Sequence, residues 1–323
     1  KSAAKALGKI LGKVSHNLRD LGDSPAKAVK ELAKDLSDEQ WYVKQSAADA
    51  LGNILGQASD NFHGFSDALA RVVPALTEAL RDADPHVKKS AAYALGEIVG
   101  KASGNFRAVG VAKAVLALAM YLSHQISEVR TSAADALGKI LGNVSGRFHD
   151  PGDAPARAVA ALTEALLKKD LFTKKSAAKA LGKILGKAAH RFHDPGGAAA
   201  RAVAALTDAL SSNAWYVKKS AADALGEILG RTSDSFHDLS VARVVAALAK
   251  VLSDDDGNAD AKSSAAYVLG VVLGQASDNF HGFSDALARV VPALTEALRD
   301  ADPHVKKSAA YALGEIVGKA SGN

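Results

Sequence analysis

Small and aliphatic residues recur along this chain in one fixed motif. Counted from the motif's serine as position zero, apolar residues stand at −3, +1, +5 and +8, as in Val87, Ala91, Leu95 and Ile98 around Ser90. At about 100° per residue these positions share one side of a helix, so each copy is predicted to be a helix with that side in a core. The serines are Ser2, Ser46, Ser90, Ser132, Ser176, Ser220, Ser264 and Ser308, at steps of 44 residues apart from one of 42. A fixed period of this size marks a stacked repeat architecture, in which each unit buries its apolar face only against its neighbours.

A second stripe, Val29, Leu32, Ala33 and Leu36, predicts a helix A ahead of the motif helix, helix B. Helix A recurs at 68–80, 111–122, 156–166, 200–210, 241–252 and 286–298. Pro74 and Pro292 lie inside two copies, where each removes a backbone hydrogen bond and predicts a kink. The reading is all-α: one continuous repeat domain over 1–323, with a lone helix B at 1–15 and seven A–B repeats at 16–59, 60–103, 104–145, 146–189, 190–233, 234–277 and 278–323, fifteen helices in all and no strand.

Glycine at +6 and +10 of helix B, such as Gly96 and Gly100, costs about 1 kcal/mol per residue relative to alanine. Close approach of a neighbouring backbone is the expected compensation. Helix B is slim on both flanks, so the B helices should approach one another more closely than the bulkier A helices. The array is therefore expected to curve with helix B on its concave side.

Positions −4, −1, +3 and +7 point away from the core, and there the copies disagree. Position −4 reads Tyr42, His86, Glu128, Phe172, Tyr216, Asp260 and His304; position +3 includes Asp49, Tyr93, Asp135, Lys179, Asp223 and Tyr267. A constant frame carrying a varied stripe is how repeat proteins build extended binding surfaces. Aromatic residues on or beside this stripe, Trp41, Tyr42, Tyr93, Phe172, Trp215, Tyr216 and Tyr267, are of the kind that anchors binding hot spots. With Asp49, His86, Glu97, Glu128, Asp135, Lys175, Lys179, Lys183 and Asp223 they form the candidate partner-binding set. An exposed face that merely drifts is the alternative, and for the two Trp a staple over the A-to-B turn.

The run Asp84-Pro85-x-Val87-Lys88-x-x-Ala91-Ala92-x-Ala94-Leu95-Gly96-x-Ile98 resembles the second helix of HEAT repeats, especially the phycobilisome-lyase-like subgroup. That resemblance implies a right-handed α-solenoid of two-helix repeats whose B helices line the concave surface, and a non-catalytic scaffold for other macromolecules. It also implies a ladder between a basic residue at −2 (Lys44, Lys88, Arg130, Lys174, Lys218, Lys262, Lys306) and an Asp near the A-to-B turn. Asp84, Asp170 and Asp302 fit that pattern; Gln40, Ile126, Ala214 and Asn258 break it.

The remaining features mostly exclude. The chain has 48% hydrophobic but only 5% aromatic residues, which suits closely packed helices. It has no cysteine, hence no disulfide or thiol chemistry, and a cytoplasmic setting is favoured. No apolar run reaches the length of a membrane span. Loop Phe-His pairs at His63, His149, His193, His237 and His281 stand one per repeat; equivalent atoms of stacked helices lie about 8–10 Å apart, too far to share one ion about 2 Å from each ligand. Neither metal nor cofactor is expected. The sequence has no His-Glu pair, as di-iron HEAT-like hydroxylases would need, and no phosphate-cradling glycine loop, so no enzyme activity is expected. The sequon Asn143-Val144-Ser145 falls at a helix end and reads as chance. A net charge of +5 keeps nucleic acid as the competing partner, yet the outward stripe sums to only +2 over eight copies and changes sign, with basic islands at Lys1, Lys5, Lys9 and at Lys175, Lys179, Lys183. A protein or peptide is the favoured partner. Residues 55–105 recur unchanged as 273–323, as recent copying or deliberate placement in an engineered or truncated array would leave them. Since the first copy must be covered by the repeat after it, end-to-end self-association, or membership of a longer array, is expected to cover the second.

Overall fold

The computed structural model describes residues 24–57, 65–101, 109–144, 154–188, 197–232, 238–254, 257–275 and 283–321. Among these are fourteen helices and no strand. The A helices are α1 (Ser24–Asp35), α3 (Phe65–Ala79), α5 (Val109–Tyr121), α7 (Ala154–Leu166), α9 (Ala198–Ala209), α11 (Asp238–Leu252) and α13 (Phe283–Ala297). The B helices are α2 (Trp41–Gln57), α4 (Pro85–Lys101), α6 (Ser127–Val144), α8 (Leu171–Ala188), α10 (Trp215–Thr232), α12 (Ala259–Gly274) and α14 (Pro303–Ser321). The helix expected at 1–15 and all five loop Phe-His pairs lie outside the described residues. Contacts gather the chain into two units, Lys1–Ala161 and Leu162–Asn323.

The predicted core positions are buried. Val87, Ala91, Leu95 and Ile98 are all fully shielded, as are Val217, Ala221, Leu225 and Ile228 at the same register. Val72, Val73 and Leu76 of α3 fill the space beneath, and α3 and α13 run on through Pro74 and Pro292.

Neighbouring B helices touch through backbone. In the first unit α2 packs on α4 and α4 on α6; in the second α8 packs on α10, α10 on α12 and α12 on α14. A Cβ added at Gly52 would meet the Ala94 Cα at 3.0 Å, one at Gly96 the Ala136 Cα at 2.9 Å, and one at Gly182 the Ala224 Cα at 2.8 Å. At Gly270 the Ala312 Cα would be only 2.6 Å away. The glycine at +6 thus receives the alanine at +4 of the next helix. Where that alanine is replaced, at Val268, a Cβ on Gly226 would meet the Val268 Cγ2 at 2.7 Å, so a side chain stands where a backbone stands elsewhere. At +10 the arrangement repeats: a Cβ on Gly186 would meet the Glu227 carbonyl oxygen at 2.7 Å, and the Gly100 carbonyl accepts the Asn143 amide at 2.9 Å. The sequon asparagine therefore serves the stack.

The ladder exists, two residues earlier in the turn than the resemblance implies at Asp82 and Asp300 and four residues earlier at Asp254. Lys44 Nζ reaches Asp82 Oδ2 at 2.7 Å, Lys218 reaches Asp254 at 2.7 Å and Lys262 reaches Asp300 at 3.4 Å, each carboxylate belonging to the following repeat. Asp84 and Asp302 instead accept the backbone N–H of His86 (2.8 Å) and His304 (2.7 Å), and Asp170 that of Phe172 (3.2 Å), satisfying donors at the start of their own B helices. Asp82 acts in two directions, since its other oxygen accepts the Asp84 N–H at 2.8 Å and closes the turn. Burial opposes its charge, yet Lys44, the Asp84 N–H and Lys88 outweigh it and hold the carboxyl below its usual range.

His124 occupies the next rung. Its Nδ1 accepts the Ile126 N–H at 3.1 Å, and its Nε2 lies 3.4 Å from Lys88 Nζ. A neutral imidazole has one acceptor nitrogen, so it cannot serve both donors as a carboxylate does. Burial, Lys88 and Arg130 depress its pKa.

Two outcomes follow from this packing. Gly96→Ala gains about 1 kcal/mol of helix propensity and loses more by forcing α4 and α6 apart, for a net loss of about 1–2 kcal/mol. Gly314→Ala, in an identical stretch where an added Cβ meets nothing within 4 Å, keeps the gain. Urea unfolding of both variants measures the difference; equal effects would refute the packing account. His124→Asp should stabilise the chain by about 0.5–1 kcal/mol at neutral pH. For the native histidine the folded pKa is the lower one, so as pH falls below about 6.5 the unfolded chain takes up the proton first and stability declines. Thermal melts at pH 7.5 and 5.5 should show that decline shrinking in the variant, whose carboxylate titrates at lower pH.

Candidate functional site

The varied stripe of helix B is exposed, and its aromatic residues are paired across repeats. Position −4 is the second residue of helix B, so its side chain leaves the first turn at the solvent edge; position +3 lies about two turns further along. In the first unit the Trp41 ring meets Tyr42 edge-on at 5.9 Å and lies 5.6 Å from His86 of the next repeat. Tyr93, 43% exposed, carries Lys139 Nζ at 5.1 Å from its ring centre. The same ammonium hydrogen-bonds Glu97, so this cation is held by both a ring and a carboxylate. Glu128 and Asp135 are exposed; Asp49 is half-buried.

In the second unit Phe172, 62% exposed, stacks on Tyr216 at 5.9 Å and 18°. Trp215 abuts Tyr216 edge-on at 5.7 Å, and Lys175 Nζ stands 5.7 Å from the Tyr216 ring centre. Tyr267, half exposed, stacks on Tyr311 at 5.2 Å and 21°. Burial, Glu315 and the stacked Tyr267 push the Tyr311 phenol above its usual pKa. Tyr311 is missing from the sequence-based set, although its place at +3, shared with Tyr93 and Tyr267, is the signal that could have found it. Lys219 pairs with Asp223 at 3.0 Å and also reaches Ser264 at 3.1 Å. Lys179 and Lys183 are exposed, with no carboxylate within ion-pair distance among the described residues.

Both Trp rings lie edge-on to the adjacent Tyr in the first turn of helix B while remaining more than 40% exposed. Among the described residues, no group of three or more His, Asp or Glu could hold a metal ion, and no helix is long and apolar enough to cross a membrane.

The HEAT-like repeat family matches residues 41–98 and 260–316, each span covering the heart of the B–A–B packing described above. An engineered protein of known crystal structure is similar over 98% of this chain and 74% of its own, at 26% identity and a TM-score of 0.63. The chain is an all-α helical-repeat solenoid with HEAT-like repeats at 41–98 and 260–316. Yeast importin-beta (Kap95p) shares the fold at 16% identity and a TM-score of 0.71, with 98% of the solenoid aligned to 40% of importin-beta. No curated protein matches the solenoid in sequence.

Proposed function

We propose that the solenoid is a non-catalytic scaffold that binds a protein or peptide along its helix-B surface, the side expected to be concave. The observation that carries this reading is the set of ring pairs on or beside solvent-accessible stripe positions: Phe172 on the half-buried Tyr216, Tyr267 on Tyr311, and Trp41 beside Tyr42 and His86. Solvent alone favours charge at such places. Paired rings are rigid before a ligand arrives, so little rotamer entropy is lost on contact, and they offer apolar area to a partner side chain. The recurrent frame beneath, with its buried core and glycine contacts, fixes the rings without using them for the stack.

Nucleic acid is the second reading, carried by the net positive charge. The stripe opposes it, because Glu97, Asp135, Asp223 and Glu227 interrupt the basic positions that tracking of phosphates requires.

Selection of a random phage-displayed peptide library against the full chain tests the reading. Selected peptides should bind Phe172→Ala, Tyr216→Ala and Tyr267→Ala variants about 5–30-fold more weakly, the range for loss of an aromatic hot spot worth about 1–2 kcal/mol. Far-UV circular dichroism should stay unchanged, since none of these side chains is buried in the core. Peptides that bind all three variants as tightly as the parent chain would place the interface elsewhere.

A further inference from the structure

We infer that the α8–α10 part of the helix-B surface takes an extended acidic peptide segment, with an apolar side chain seated on Phe172 and Tyr216 and alternate carboxylates on Lys175, Lys179 and Lys183. The inference rests on the peptide-binding reading above and adds the chemistry of the partner.

The three lysines stand at intervals of four residues along α8, on one slanting row. Lys139 is engaged by Glu97 and the Tyr93 ring and Lys219 by Asp223. Lys89 and Lys307 are exposed but are single cations in the corresponding rows of their helices, and among the described B helices only α8 carries three in one row. On α8, Lys175 meets the face of Tyr216, while Lys179 and Lys183 form no ion pair among the described residues, although Asp223 and Glu227 hold the equal positions on α10. Like charges four residues apart oppose helix formation. This row is therefore a local cost that an anionic ligand removes.

Spacing selects the kind of anion. Four residues of α-helix rise about 6 Å. Every second residue of an extended chain advances about 6.6 Å, with its side chain on the same face. A segment with acidic residues at alternate positions thus meets successive lysines as it runs along α8, and the Phe172–Tyr216 stack at the start of the row receives the side chain that precedes them. Phosphates of a nucleic acid carry a similar spacing, but such a chain does not stop after three charges. Continued across the neighbouring helices it meets Asp223, Glu227 and Asp260. The island fits a short acidic run and disfavours a long polyanion.

The test uses the full chain and a fluorescein-labelled synthetic peptide with one tryptophan followed by glutamates alternating with serines. A glutamine-for-glutamate counterpart and a labelled single-stranded oligonucleotide serve as comparisons, all read by fluorescence anisotropy. The glutamate peptide should bind at least about tenfold more tightly than the glutamine one at low salt, and that advantage should shrink as salt screens it. Lys179→Glu with Lys183→Glu should abolish the advantage, whereas Phe172→Ala should weaken both peptides alike. Equal binding of both peptides, lost in Phe172→Ala, would overturn the acidic partner and leave the peptide face standing. Tighter binding of the oligonucleotide through the same two lysines would overturn it in favour of nucleic acid. Binding of neither peptide would overturn it as well, while the library selection judges the wider reading separately.

Discussion

Backbone contact between neighbouring B helices is the constraint on which the stack depends. Glycine at +6 lets the Cα of the next helix come to within 2.6–3.0 Å of where a Cβ would be at Gly52, Gly96, Gly182 and Gly270. The two glycines of each helix are unfavourable by about 2 kcal/mol in isolation, and only contact of this closeness offsets them. The lysine ladder comes second. Asp82 ties its own turn to the preceding repeat through its two oxygens, a partly buried pair with good geometry but modest energy. The ladder uses no stripe position, and the glycine contact uses the stripe chiefly at +7, where the +10 glycine meets mostly the backbone and Cβ of the next helix, as at Glu97, Lys139 and Glu227. The outer parts of the stripe can therefore change chemistry from repeat to repeat while the frame holds.

What the sequence made legible follows from this division. Core positions and the need for close approach at glycine depend on one helix and its immediate spacing, and both were readable. The ladder partner depends on the register between repeats. Asp82 and Asp84 are two residues apart in one turn, and no single-repeat argument distinguishes the aspartate that reaches back to Lys44 from the one that caps its own helix. The ring pairs were hidden for the same reason. Phe172 and Tyr216 both stand at −4, Tyr267 and Tyr311 both at +3, so equal positions in adjacent repeats come into stacking distance. Tyr93 has Asp135 at the equal position in the next repeat, and there Lys139 covers the ring instead.

The surface divides chemically as well as geometrically. Its aromatic residues supply apolar area at low entropic cost, and its charges supply direction. Where a lysine is matched by a carboxylate of its own surface, as Lys139 is by Glu97, a charged ligand must break that pair before it binds. Where no such pair is formed among the described residues, as at Lys179 and Lys183, a charged ligand would have no pair to break. On the proposed binding reading, selectivity along the surface would arise from which repeats neutralise themselves.

The two identical stretches show how far position in the stack governs what a residue does. Val99 is 1% exposed and Val317 is 60% exposed, and Leu80 is buried where Leu298 is 39% exposed, although every residue from 55 to 105 equals its counterpart from 273 to 323. Val87 and Val305 remain fully buried in both. The difference therefore falls on the flank that meets the next repeat, and the side that meets its own helix A is unaffected. A repeat carries its intrinsic core within itself but borrows the rest of its burial from a neighbour. Stability in this fold is accordingly a property of interfaces as much as of units, and glycine at +6 is stabilising only where a neighbouring backbone occupies the space it leaves.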